Sequence, residues 1–234
     1  GAKAPDTFPG VPTLTYLKTL QWGAMRSDGD SFMPNLVVGV KGRGGPTTHH
    51  AQDDLGSFVL YANGENYLID PGYYETKADL HNALLIDGAG PQAKGQATII
   101  NAWETETRRS MAVDLQEAYR KKLPGLRRHI VMDGDRAVVL LDEVPEGIAK
   151  EATFLLQSLF EPQRDDGEAG LMLQGKKGRL RAECFGPQVK LKVRPRRWKQ
   201  EWVQPRDHDK WYTVSGTYAP TSARGSSSIS TWRY

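Results

Sequence analysis

The stretch "SFVLYANGENYLID", residues 57–70, decides the fold. Two short runs of alternating, apolar-rich sequence flank Asn63-Gly64. Alternation is the signature of a strand with one face buried. Asn-Gly readily takes the positive φ angles of a type I′ turn, which matches the twist of paired strands. The stretch is therefore a β-hairpin. Asp70-Pro71-Gly72 then stops the second strand and lets the chain turn.

Both outer ends of this hairpin are polar. Upstream stands "HHAQDD", residues 49–54. In an extended chain His50, Gln52 and Asp54 point one way, while His49, Ala51 and Asp53 point the other. The turn folds Asp70 back beside the start of the first strand, near Gln52 or His50. Downstream, His81-Asn82 precedes another apolar run, "ALLID". If that run joins the same sheet, Gln52 or His50, Asp70 and His81 converge. A carboxylate with one or two imidazoles suits zinc or a similar divalent metal. A glutamine carbonyl shifts the preference toward calcium or manganese. The plainer reading is that these groups satisfy loop backbone. His129 and His208 read as ordinary surface or loop histidines.

The same alternation recurs along the chain. Strands are expected near 35–40, 57–62, 66–70, 83–87, 97–104, 110–119, 128–132 and 136–142, then 151–159, 170–173, 179–185, 189–193 and 211–218. Asp133-Gly134-Asp135 marks a second hairpin. Helical periodicity is nearly absent, with a short candidate around 13–20. Residues 162–168 read as a polar loop. The start, near 1–12, and a Ser-rich segment near 221–230 read as flexible, although the last residues, 229–234, can pair as a final strand. About a dozen strands at short spacing give an all-β chain, a large antiparallel β-sandwich with little helix. No internal repeat or boundary divides residues 1–234, so a single domain is expected.

Composition narrows the function classes. The 234 residues are 38% hydrophobic and 25% charged, which is ordinary for a soluble globular chain. No run approaches the roughly 18 apolar residues of a membrane span, so no membrane partner is expected. The single cysteine, Cys184, rules out an internal disulfide and lies in a strand pattern, as packing. Residues 42–45, "GRGG", lack the lysine and helix of a phosphate loop. The segment 190–211, "KLKVRPRRWKQEWVQPRDHDKW", mixes bases with tryptophans. It suits an acidic polysaccharide, with Arg196, Arg197 and Trp198 as weak candidate contacts. A solvated strand edge protected by charge explains the same composition. A net charge of +3 and the lack of any nucleic-acid motif argue against nucleic acid.

The polar blocks resemble the C-terminal β-sandwich domain of the heparinase II/III-like polysaccharide lyases. That family has H-x-[HQ]-x-D-x-x-[ST]-F, then a hairpin ending in D-x-G, then H-N-[TS]-a-x-a-[DN]-G, where "a" is apolar. The matches are His50, Gln52, Asp54, Ser57 and Phe58, then Asp70 and Gly72, then His81, Asn82, Asp87 and Gly88. The resemblance implies β-elimination on uronic-acid polysaccharides, with His50 facing the cleft as the catalytic residue. It implies a divalent metal, zinc foremost with calcium or manganese as alternatives, held by Gln52, Asp70 and His81. Gln52 stands where many members carry histidine.

It also implies a partner, an N-terminal α/α toroid domain, for which this chain lacks the helical content. The chain is expected to be a fragment, inactive alone and a carbon–oxygen lyase when joined to a toroid, or else a stand-alone relative of the sandwich. A periplasmic or extracellular location is implied by the resemblance, since no signal peptide is visible. The alternative is a non-catalytic carbohydrate-binding or scaffold module.

Overall fold

A computed structural model describes residues 10–31, 33–45, 51–164, 170–185, 189–198, 208, 210–220 and 226–233. Alternation becomes seventeen antiparallel strands among these residues, in three sheets. The first sheet is a meander of β1 (Leu14–Leu17), β2 (Trp22–Arg26), β3 (Leu36–Lys41), β4 (Phe58–Ala62) and β5 (Glu65–Leu68). Its inner row runs Met25, Val38, Leu60 in register, all nearly inaccessible. Each such side chain contributes about 1.5–3 kcal/mol by leaving water. The β4–β5 turn has Asn63 at φ 49° and Gly64 at φ 83°, the conformation that Asn-Gly favours.

A single 3-10 turn, Ala78–Leu80, leads into β6 (Leu84–Ile86). There follow β7 (Thr98–Glu104), β8 (Arg108–Asp114), β9 (Arg127–Asp133), β10 (Ala137–Val144) and β11 (Ala152–Ser158). The remaining strands are β12 (Pro162–Arg164), β13 (Gly170–Gln174), β14 (Arg179–Phe185), β15 (Lys190–Arg197), β16 (Lys210–Tyr218) and β17 (Ser226–Arg233). An eight-stranded sheet takes the order β12-β13-β14-β17-β10-β9-β8-β7, and a four-stranded sheet the order β15-β16-β11-β6. Strands β9 and β10 bury every second residue, with the positions between half-buried apart from exposed Arg127. Strand β11 is buried at every position, covered on both faces. One continuous core joins the three sheets. Among the described residues no helix is long and apolar enough to cross a membrane.

The all-β sandwich expectation holds. Three local expectations do not. The helical candidate around 13–20 is instead β1 followed by a turn. Leu14 and Tyr16 pack against the core at a spacing of two, and the Tyr16 hydroxyl donates to Gln21 Oε1 (2.9 Å) and Ile99 O (3.2 Å). Strand 110–119 starts at Arg108 and ends at Asp114, after which the chain turns. In the supposed loop 162–168, residues 162–164 form β12, with Pro162 on a sheet edge where its missing N–H costs nothing. Residues 165–169 lie outside the described residues. At the other end, residues 226–233 pair as β17, between β10 and β14. Cys184 is buried in β14.

Candidate metal centre

Three segments meet at the open ends of β4 and β5. The first is the approach to β4. Asp54 turns the chain, its carbonyl accepting from the Ser57 N–H (3.1 Å), and its side chain is fully buried. One carboxylate oxygen, Oδ2, takes the Lys41 ammonium from the end of β3. The other, Oδ1, is buried with no partner among the described residues. The second segment is the exit from β5. Asp70 Oδ1 accepts the Gly72 N–H (2.8 Å), an Asx-type turn that fixes the carboxylate. The third is the residue after the 3-10 turn, His81. Its Nδ1 lies 3.0 Å from Asp70 Oδ2. Its ring is inaccessible, and its Nε2 has no partner among the described residues. Ligand atoms of Asp54, Asp70 and His81 all lie within 4.8 Å of one another.

Burial works to raise the Asp70 carboxyl. The His81 hydrogen bond and charge, the Gly72 N–H and Lys41 together outweigh it, and the group sits below its ordinary value. It is therefore a carboxylate at neutral pH, ready to meet a cation.

The next residue holds the centre in place. Asn82 is buried, and its Nδ2 donates to Phe58 O (2.6 Å) and Ile69 O (3.0 Å). Its Oδ1 accepts the Gln157 N–H from β11 (2.5 Å). Its backbone carbonyl accepts Arg128 Nη1 from β9 (2.9 Å), which also donates to Gly56 O (2.9 Å). The buried Arg128 guanidinium grips Asp142 on β10 by two parallel bonds, at 2.6 and 2.9 Å. Gln157 adds a bond from Nε2 to His81 O (2.9 Å). Asn82 thus ties all three sheets together, one residue from His81.

Of the residues singled out in the sequence, Asp70 and His81 are brought together. Gln52 is close by, its Nε2 donating to Tyr73 O (2.9 Å) beyond Asp70. His50 lies outside the described residues. Asp87, also in the motif, ties the end of β6 to the approach to β11 by accepting the N–H groups of Lys150 (2.8 Å) and Glu151 (2.9 Å). Arg196 is half-buried and donates to Thr213 Oγ1 (3.0 Å) and Asp79 Oδ2 (3.1 Å), so it braces the 3-10 turn from behind. Arg197 is exposed on edge strand β15. Trp198 packs on Trp211, with ring centroids 6.0 Å apart, in a small cluster with Ile69 and Leu80. His129 faces Glu143 (3.4 Å), and His208 meets the Phe160 ring edge-on.

Two members were missed as site residues. Asp54 shares a face with Gln52, which was the available signal. Lys41 merely ends an apolar strand and gave none.

A β-sandwich with a carboxylate–imidazole centre at its strand ends describes a class of domain. The heparinase II/III-like C-terminal family model matches residues 37–207, and the chain belongs to that family. A search of curated proteins finds no match. Among solved structures, the heparinase III BT4657 gene product aligns at 17% identity and TM-score 0.75, over 98% of this chain and 36% of its own. Heparan sulfate lyase HepC from Pedobacter heparinus aligns at 16% identity and TM-score 0.74, over 99% and 37%. A further heparinase III structure aligns at 16% and 0.71, over 94% and 36%. The chain thus spans little over a third of these relatives' length.

Proposed function

We propose that this chain is the sandwich part of a lyase that cleaves uronic-acid-containing polysaccharide by β-elimination, working with an α/α toroid domain. Family membership and the convergence of Asp54, Asp70 and His81 support the reading. In such a reaction a base takes the proton at C5 of the uronate, and the 4-O-glycosidic bond breaks. The carboxylate beside C5 takes up the negative charge and must be neutralised. His50 is the cleft residue suggested by its motif position. Lys41 is a cation at the edge of the same centre.

The donor set fits a divalent cation, zinc foremost, with calcium or manganese as alternatives. Two carboxylates and an imidazole converge, and the orphaned Asp54 Oδ1 and His81 Nε2 are the buried atoms that a further partner would satisfy. Asp70 and His81 would hold it, with Asp54 or Gln52 as third donor. Bound there, the cation supplies positive charge and a brace between three chain segments. His81 and Asp70 keep their geometry through Asn82 and Gly72, so the hairpin ends stay fixed. By family analogy the protein works in a periplasm or outside the cell.

The test is elemental analysis of the chain purified without chelators, beside Asp70→Ala and His81→Ala. Stoichiometric zinc, calcium or manganese, lost in both variants together with thermal stability, is the expected outcome. Variants that keep metal and stability would sink this account of the centre. For the reaction, the full-length protein should release unsaturated uronate, and His50→Ala should abolish it.

A second reading, a non-catalytic module for anionic glycans, draws on β15. Lys190, Lys192, Arg194 and Arg197 are exposed along that sheet edge. Affinity that falls steeply with salt, with no elimination product from the full-length protein, would favour it.

A further inference from the structure

The outer face of the first sheet carries an arrangement that the metal centre does not use. Trp22 on β2 sits directly opposite Lys41 on β3. Its indole is 47% exposed, and the Lys41 ammonium lies 5.9 Å from the ring centroid. One row along, Gly39 stands opposite Val59, which is 40% exposed. A Cβ at Gly39 would come within 3.0 Å of Val59 Cγ2, so glycine keeps the floor between indole and valine low. The result is an open cleft of about 230 Å³ bordered by Trp22, Gly39, Val59 and Lys41, with Asp70 also in its wall.

We infer that this cleft binds one sugar ring of an acidic polysaccharide, with the Trp22 indole stacked on the ring's apolar face and the Lys41 ammonium on its carboxylate or sulfate. The inference rests on the lyase reading above and adds to it a residue that positions substrate. Singly exposed apolar side chains need no explanation. Here a large indole, an exposed valine and a cation share one concavity, which reaches the edge of the centre. A pyranose offers the matching pair of features, a flat C–H face and a charged substituent. Lys41 has three donors, and Asp54 Oδ2 accounts for one, so the ammonium can bind an anion without leaving its carboxylate. The volume lies below the roughly 300 Å³ at which pockets begin to enclose whole drug-sized ligands, which fits one ring rather than a chain. A purely apolar partner is a poorer match, because Lys41 and Asp70 sit in the wall.

The experiment is calorimetric titration of the chain with a uronate oligosaccharide, comparing the unmodified protein with Trp22→Ala, Trp22→Phe and Trp103→Ala. Trp103 is the control, an indole 40% exposed on β7 of another sheet. Trp22→Ala should weaken binding about tenfold, a loss of about 1.4 kcal/mol. Trp22→Phe should recover most of the loss, Trp103→Ala should change nothing, and the melting temperatures should agree. Equal affinity in Trp22→Ala overturns the inference and leaves the lyase reading standing. No binding by the unmodified chain also overturns it, while the lyase reading is judged separately by elimination in the full-length protein. Self-association of the chain that Trp22→Ala abolishes overturns it too, assigning the face to a second copy.

Discussion

The crossing at His81-Asn82 and the basic edge at β15 are both rich in charge and hydrogen-bonding groups, yet the molecule treats them in opposite ways. At the crossing, Arg128, Asp142, Asn82 and His81 are almost wholly inaccessible. The first three are bonded to named partners, and each bond spans different strands or sheets. At β15 most of the bases stand in solvent, while half-buried Arg196 hydrogen-bonds to Thr213 and Asp79. In low dielectric an unpaired polar group is costly, so the crossing must be complete to be stable. In water a charge loses little by standing alone. Burial, not residue type, makes a polar cluster specific.

The largest expected break is Asp142→Ala. It strands the Arg128 guanidinium in the core and should cost about 3–5 kcal/mol in denaturant unfolding. A loss below about 1 kcal/mol would mean that the crossing is as solvated as the edge. Next is Asn82→Ala, which leaves the carbonyls of Phe58 and Ile69 and the Gln157 N–H without their partner. About 3 kcal/mol should be lost, since each buried orphan costs about 1–3 kcal/mol. Metal content should fall with it if the centre is held as described.

On the edge side, Arg196→Ala should cost about 1 kcal/mol through Thr213 and Asp79, while Arg197→Ala should stay within about 0.5 kcal/mol. Equal effects would erase the distinction drawn within β15.

The smallest effect concerns Tyr67, at the hairpin's other end. Burial first, and then the Glu65 carboxylate, pushes its phenol up to about 12 from 10.0. The unfolded chain therefore ionises before the folded one. The stability from this group is intact below about pH 10 and is lost as pH rises toward about 12. Tyr67→Phe should make the alkaline decline shallower, measured by melting temperature against pH.

Much of this was legible in the sequence. Alternation and the Asn63-Gly64 turn gave the first hairpin, and "RRHIVMDGDRAVVLL" gave β9 and β10 to within a residue or two. Such signals are local, which is why they survive without a structure. What failed was equally physical. In residues 13–20, Leu14 and Leu17 fall at a helical interval, although Leu14 and Tyr16 are the pair that packs inward. In "WGAMR" only Met25 is fully buried, so β2 has too little pattern to announce itself.

At the centre, Asp70 and His81 were found because the turn dictates where β5 ends. Lys41 was invisible, since its role depends on a register between β3 and β4 that no local rule specifies. Arg196 reads in sequence as a polysaccharide contact, because a base facing Asp79 looks there like a base facing water.

The position of β17 has a consequence for how the molecule is made. It lies between β10 and β14, while β1 to β5 pair only with sequence neighbours. The meander can zip as it is synthesised, closing short loops in turn. The eight-stranded sheet cannot. Its β7–β10 half and its β12–β14 half remain two ribbons, each with an open edge, until residues 226–233 have left the ribosome. During that interval β10 and β14 expose unpaired backbone, the surface on which chains aggregate. A late strand therefore acts as the fastener of the eight-stranded sheet, and yield on expression should be more sensitive to changes there than to changes anywhere in the meander.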